Sequence, residues 1–212
     1  MTYGEAVAVD PSGNVYVTGT TESSYLPVTS GALNAGVPSY SAGSYVFLTK
    51  LEPSGSLVYS ALVGAIGEAP DCCSVSGIAL DSAGNAYLAG TAGVNNLTSA
   101  TPWTTTPGAY QSDLIAPGQT APFVAKISAD GSKLIYSTLA ATGITTSMAL
   151  TAEGQVILVG TPDDNYQVTS NAYSSTAGSS FIAELSADGT RLPYSTYFST
   201  PTDCLLYTSR CV

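Results

Sequence analysis

The chain of 212 residues contains no histidine. Histidine is the side chain that most often acts as a general base near neutral pH, and its imidazole is the commonest metal ligand in proteins. Its absence excludes catalytic sets of the Ser/His/Asp and Cys/His types, and the cysteines show no spacing typical of a metal site. We therefore predict that the chain is not an enzyme, with no catalytic residues, no metal and no cofactor.

Positive charge is scarce, with 5 Lys and Arg against 15 Asp and Glu and a net charge of −10. Such a surface repels phosphate backbones and anionic lipid headgroups, so neither nucleic acid nor an anionic membrane is an expected partner. No segment approaches the ~20 apolar residues that a membrane-spanning helix needs, so we expect no membrane insertion. Met1 is not followed by the basic and then apolar leader of a secretory signal.

Charged residues of both signs make up only 9% of the chain, whereas hydrophobic residues make up 44%. Disordered chains show the opposite balance, so this chain is expected to fold. Its 21 Gly and 14 Tyr, together with abundant Ser and Thr, favour short strands and tight turns over helices. The composition therefore predicts an all-β fold.

One sequence block, an apolar run followed by a Gly-bearing turn and a second apolar run, occurs three times, at residues 6–20, 78–91 and 148–161. Its turn glycines are Gly13, Gly84 and Gly154, which are 71 and 70 residues apart. Each block predicts a β-hairpin, with glycine where the turn needs a positive φ. A second glycine recurs at the end of the block, at Gly19, Gly90 and Gly160, and we predict that neighbouring backbones approach closely there.

A second hairpin block follows in every copy, at residues 46–60, 123–137 and 181–195. Two hairpins per copy make four strands, which is one blade of a β-propeller. Many strand residues are apolar on both faces, as expected when each blade lies between two neighbours. We predict three four-stranded antiparallel blades at about residues 4–64, 76–141 and 146–200.

The two blocks together resemble the SBBP family of bacterial proteins, which is named after a seven-bladed β-propeller repeat. In the first copy they read AVDPSGNVYVTG and VFLTKLEPSGSLVYS. The resemblance covers residues 4 to about 200 and implies a secreted or cell-surface protein with no assigned catalytic residues. The first hairpin also resembles an NHL repeat, but NHL units are shorter and lack the second block.

Both ends of the sequence are predicted to be unnatural. Closed propellers usually need ~4–8 blades, so we expect residues 1–203 to be a propeller fragment with exposed blade faces, its signal peptide lost with a missing N-terminus. Residues 204–212 match nothing in the repeat. They are the translation of a transposon mosaic end joined to its reverse complement, and we expect them to be a non-native scar outside the fold.

Cys204 and Cys211 belong to this tail, which leaves the adjacent pair Cys72 and Cys73. A vicinal disulfide is one interpretation. The favoured alternative is that Cys72 and Cys73 are free thiols or pair with cysteines of the missing chain.

The hairpin turns that start with Asp10 and Asp81 place oxygens like the beginning of a calcium loop. An EF-hand needs Gly at position 6 and Glu at position 12, and neither is present. Thr151 replaces the aspartate in the third copy, so we interpret these segments as structural turns.

The connections between the two hairpins of each copy, residues 22–44, 92–121 and 162–179, are long and differ in sequence. Loops of this length often carry function, so we predict that a protein or glycan ligand contacts the face they form. The aromatic candidates are Trp103, Tyr25 and Tyr110, although a lone loop tryptophan more often packs onto its domain. The resulting hypothesis is a non-catalytic binding or scaffold module, and the alternative is a propeller enzyme acting on polysaccharide.

Overall fold

A computed structural model describes residues 1–23, 25–34, 44–67, 73–93, 103–112 and 120–198. These residues form twelve β-strands and no helix. In chain order the strands are β1 Thr2–Val9, β2 Val15–Thr21, β3 Ser44–Leu51, β4 Leu57–Gly67, β5 Ser74–Leu80, β6 Ala86–Gly93, β7 Thr120–Ile127, β8 Leu134–Leu139, β9 Gly143–Leu150, β10 Val156–Pro162, β11 Phe181–Leu185 and β12 Tyr194–Tyr197. The predicted tail and Cys72 lie outside the described residues.

The strands form three antiparallel sheets of four, in the meander orders β1–β4, β5–β8 and β9–β12, which we call blades 1, 2 and 3. The first strands of the blades contact one another, β1 with β5 and β5 with β9. This arrangement confirms the prediction of an all-β chain with three propeller blades. Within the described part of the chain, no helix has the length and apolar character needed to cross a membrane.

The first strand of each blade begins two or three residues before the predicted start of the blade, and it runs through a β-bulge. In blade 1 the register shifts between Gly4 and Ala6, which leaves Glu5 as the extra residue. Corresponding shifts occur in β5 and β9. The bulge lets pairing resume on its far side and increases the local twist of the strand.

A glycine lies opposite each bulge. A Cβ added at Gly19, Gly90 or Gly160 would lie 1.9, 2.1 or 2.0 Å from a carbonyl oxygen of the first strand. The Phe123 ring also covers Gly90, at 2.7 Å from such a Cβ. The predicted close backbone approach at the three recurring glycines is therefore confirmed.

The predicted hairpin turns are also present. Gly84 in the first turn of blade 2 has φ +80°, and Gly131 in its second turn has φ +72°. These are left-handed conformations that L side chains adopt only with strain. The glycines in the predicted turns therefore identified the hairpins correctly.

Most of the core lies between blades rather than inside them. One cluster of buried side chains joins blades 1 and 2 and includes Leu48, Leu88 and Phe123. A second cluster joins blades 2 and 3 and includes Tyr87 and Phe181. Strand β6 of the middle blade is buried at all eight positions, whereas most of β1 is exposed. A blade thus buries both faces only where it has a neighbour on each side.

We predict that Gly90→Ala lowers the free energy of unfolding by about 1–3 kcal/mol, because the methyl group must displace the Ser74 carbonyl or the Phe123 ring. The control is Gly4→Ala, where the nearest atom lies 3.7 Å from the added Cβ; its effect should stay within about 0.5 kcal/mol. Urea denaturation measures both. Equal losses would contradict the close approach.

Candidate functional site

Trp103 lies in the core between blades 1 and 2. Its side chain is buried, with 4% relative exposure, and its ring stacks on Phe123 with 4.0 Å between ring centroids. On the side of blade 1, a Cβ at Gly64 would lie 3.1 Å from the indole. Trp103 therefore packs onto its domain, which was the alternative to ligand binding, and its ring has no exposed face for a ligand.

Trp103 occupies a position that recurs in all three copies, and this recurrence was not predicted from the sequence. It lies three residues before Thr106, as Tyr166 lies three before Thr169 and Leu26 three before Thr29. Tyr166 stacks on Phe181, and Leu26 packs with Phe47. A signal was therefore available in the sequence, since the apolar residue keeps a fixed distance from a recurring threonine.

These threonines attach the long connections to the outermost strand of each blade by reciprocal hydrogen bonds. In blade 2 the Thr106 N–H donates to the Ser137 carbonyl at 2.9 Å, and the Ser137 N–H donates to Thr106 Oγ1 at 2.9 Å. Thr29 with Ser60 and Thr169 with Ser195 repeat the pair. The described parts of the connections are therefore fixed to the sheet.

The same connections cover the free edge of the outermost strand. The Leu62 N–H donates to the Leu33 carbonyl at 3.0 Å in blade 1, and the Leu139 N–H donates to the Gln111 carbonyl at 2.9 Å in blade 2. An uncovered strand edge promotes pairing with other chains, so this cover has a structural value of its own. Part of the loop length that we interpreted as functional is used in this way.

Tyr25 and Tyr110, the other two predicted ligand residues, keep exposed rings. Tyr25 is 88% exposed, and Tyr110 is 41% exposed. Partial burial raises the pKa of the Tyr110 hydroxyl above its ordinary value, which already lies well above neutral pH. The ring contacts among the described residues do not join these two tyrosines to each other or to Trp103.

The aspartate turns are closed by their own hydrogen bonds. Asp10 Oδ1 accepts from the backbone N–H groups of Ser12 and Asn14, both at 2.9 Å, and Oδ2 accepts from the Asn14 amide at 2.7 Å. The Asn14 side chain is the largest influence lowering the pKa of Asp10. The carboxylate is thus engaged inside the turn, which agrees with the structural interpretation of this segment.

A lysine on the third strand completes the group in blades 1 and 2. Lys126 Nζ lies 3.2 Å from Asp81 Oδ2 and 4.7 Å from the centroid of the Tyr87 ring. Lys50, Asp10 and Tyr16 repeat the arrangement in blade 1, with 3.8 Å between the charged atoms. Burial raises the pKa of Asp81, but the Asn85 hydrogen bonds and Lys126 outweigh it and the net shift is downward.

In blade 3, a turn without aspartate and a hydrogen bond between Gln155 and Glu184 replace this charged group. Thr151 stands in the place of the aspartate and accepts from the Gln155 N–H at 3.1 Å. The Gln155 amide then donates to Glu184, which occupies the position of the lysine.

The second hairpin turns of blades 2 and 3 also hold ionised carboxylates. Asp130 accepts from the hydroxyls of Ser128 and Ser132, and these bonds lower its pKa to about 2. Asp188 accepts from Ser186 and Thr190 with the same result, a pKa of about 2. Both groups are charged at neutral pH and cannot supply a proton there.

The bulge residues of the first strands connect neighbouring blades. Glu5 Oε2 accepts from the Val75 N–H of blade 2 at 2.7 Å. Ser76, at the same repeat position, donates to the Thr145 carbonyl of blade 3 at 2.6 Å. The bulge therefore directs a polar side chain to the first strand of the following blade.

Cys73 is disulfide-bonded, which corrects the free-thiol interpretation for this residue. Cys72, Cys204 and Cys211 lie outside the described residues, so the vicinal disulfide with Cys72 stays a prediction. In the described ranges, no three acidic or cysteine side chains are grouped so that they could hold a metal ion. The Asp163 carboxylate accepts from the Asn165 N–H at 2.9 Å and so belongs to its own turn.

The family model of the SBBP β-propeller repeat matches residues 2–25 and 58–98 of the chain. The first segment contains β1 and β2 of blade 1, and the second runs from β4 of blade 1 through β5 and β6 of blade 2. The resemblance to SBBP repeats that was inferred from the sequence is therefore confirmed for these segments. No curated protein matches the chain.

We predict that Trp103, the single tryptophan of the chain, is shielded from acrylamide in the folded protein, so that its quenching increases several-fold on unfolding. Trp103→Ala should cost about 3–5 kcal/mol of unfolding free energy by leaving a cavity between two blades. Trp103→Phe retains a stacking ring, so its loss should be smaller. Equal quenching in the folded and unfolded protein would contradict the buried position.

Proposed function

We propose that this β-propeller module, built from SBBP repeats, is a non-catalytic binding or scaffold module of a bacterial secreted or cell-surface protein. The observation that carries the proposal is the pair of exposed tyrosines on fixed connections, Tyr25 at 88% and Tyr110 at 41% exposure. A tyrosine ring on an anchored loop offers an apolar face and a polar tip at low entropic cost. Glycans and protein surfaces are the ligands that such rings suit.

The pKa shifts and hydrogen bonds of four aspartates support a binding function over a catalytic one. A carboxyl group that acts as a general acid needs a pKa near the working pH, which usually means a pKa raised by burial. Asp130 and Asp188 have the opposite shift, to about 2, because turn hydroxyls bond to them. Asp10 and Asp81 are likewise committed to turns and lysines.

The disulfide at Cys73 supports a location outside the cytoplasm. Disulfides persist in oxidising compartments and are rare where glutathione and thioredoxin keep thiols reduced. The proposed location also agrees with the secreted or surface proteins that the SBBP resemblance implies.

A glycan array tests the proposal with the wild type and the variants Tyr25→Ala and Tyr110→Ala. We expect binding to at least one polysaccharide class and a loss of about tenfold or more in at least one variant, which is the effect of removing about 1.4 kcal/mol of stacking. Ile135→Ala is the control, because this side chain is 48% exposed on the outermost strand of blade 2. It should bind like the wild type.

Release of soluble sugars from a bound polysaccharide would contradict the non-catalytic assignment and favour a polysaccharide-active propeller. Binding that neither tyrosine variant weakens would remove Tyr25 and Tyr110 from the proposed site.

A further inference from the structure

The two blade–blade interfaces of the chain use the same ring contact. Tyr59 on β4 of blade 1 lies against Gly131 in the second hairpin turn of blade 2, where a Cβ would be 2.6 Å from the ring. Tyr136 of blade 2 lies in the same way against Gly189 of blade 3, at 2.5 Å. Each blade thus offers a tyrosine to the turn glycine of the blade that follows.

A backbone hydrogen bond accompanies each ring contact. The Leu33 N–H of blade 1 donates to the Gly131 carbonyl at 2.7 Å, and the Tyr110 N–H of blade 2 donates to the Gly189 carbonyl at 2.9 Å. The long connection of one blade is therefore attached to the second hairpin turn of the next. The two contacts define matching halves, which we call the trailing face of a blade and the leading face of its follower.

The leading face of blade 1 has no such neighbour among the described residues. Gly55 occupies the turn position of Gly131 and Gly189, and a Cβ there would meet no described atom within 4 Å. Val7 and Val9 of β1 are 63% and 62% exposed. Their counterparts in blade 2, Ile78 and Leu80, pack against the core shared with blade 1.

The trailing face of blade 3 likewise has no following blade among the described residues. Val159 is 37% exposed, whereas Ala89 at the same position of blade 2 is fully buried. Tyr173, the counterpart of Leu33 and Tyr110, is 80% exposed. Its N–H donates to the hydroxyl of Tyr194 at 3.3 Å instead of to the turn carbonyl of a following blade.

We propose that these two faces bind each other between two copies of the chain, head to tail. The trailing face of blade 3 in one copy packs on the leading face of blade 1 in the other. Tyr194, at the repeat position of Tyr59 and Tyr136, then covers Gly55 of the partner copy. Val159 and the exposed valines of β1 become buried in the same contact.

A second copy is the occupant because the chain itself carries both halves of an interface that it already forms twice. Head-to-tail contacts either close into a ring or extend into a filament. Two copies related by a two-fold axis supply six blades, which lies within the ~4–8 blades of known propellers. Both open faces are then covered at once.

The test uses two variants of the 212-residue chain, each with one defective face. Val9→Lys places a charge on the leading face of blade 1, and Val159→Lys places one on the trailing face of blade 3. Sedimentation velocity should show the wild type at about twice its 21.4 kDa monomer mass and each variant alone as a monomer. An equimolar mixture should form a one-to-one pair, because one intact interface remains between the two proteins.

Ile135→Lys is the control, since Ile135 is 48% exposed although blade 2 has neighbours on both sides. This variant should associate like the wild type, and circular dichroism should show all variants folded. A monomeric wild type at every concentration would overturn the proposal. So would variants that still self-associate, or a mixture that stays monomeric.

Discussion

The rings of Tyr59 and Tyr136 pack on turn glycines of the following blades, and the structure depends on these contacts because they join each blade to the next. A four-stranded blade in this chain has two apolar faces, so a single blade cannot bury its own hydrophobic surface. The main clusters of buried side chains consequently span two blades each. Folding stability is therefore a property of neighbouring pairs of blades.

Polar groups give these apolar contacts a defined register. The bulge residues Glu5 and Ser76 bond to the first strand of the next blade, and the connections bond to its second hairpin turn through Gly131 and Gly189. Within blades 1 and 2, the aspartate and lysine groups fix the first turn of the same blade.

The hairpins and their blades were predictable because turn chemistry is local. A positive φ at Gly84 or Gly131 follows from the residues on either side of it, and repetition of the pattern gives the blade. The bulges were not predicted, since an extra residue in one strand is visible only against its partner. The recurring glycine opposite each bulge is the only sign of the bulge that the sequence contains.

The candidate site was less predictable for a related reason. Trp103, Tyr25 and Tyr110 are all aromatic residues in long connections, and composition does not separate them. The burial of Trp103 depends on contacts that are distant in sequence, since its ring packs beside Gly64 of blade 1 and stacks on Phe123 of its own blade. Tyr25 has no ring partner among the described residues. Only the fixed spacing from a recurring threonine marks Trp103 as a structural residue.

The most direct test of the role of blade–blade contacts compares Gly131→Ala with Gly108→Ala by equilibrium urea denaturation. Both glycines have a positive φ, +72° and +84°, so each alanine carries a similar backbone strain of roughly 1–2 kcal/mol. Only the alanine at position 131 also meets the ring of a neighbouring blade, at 2.6 Å, whereas a Cβ at Gly108 meets no described atom within 4 Å. We expect Gly131→Ala to lose about 1–3 kcal/mol more than Gly108→Ala. Equal losses at the two positions would contradict the account.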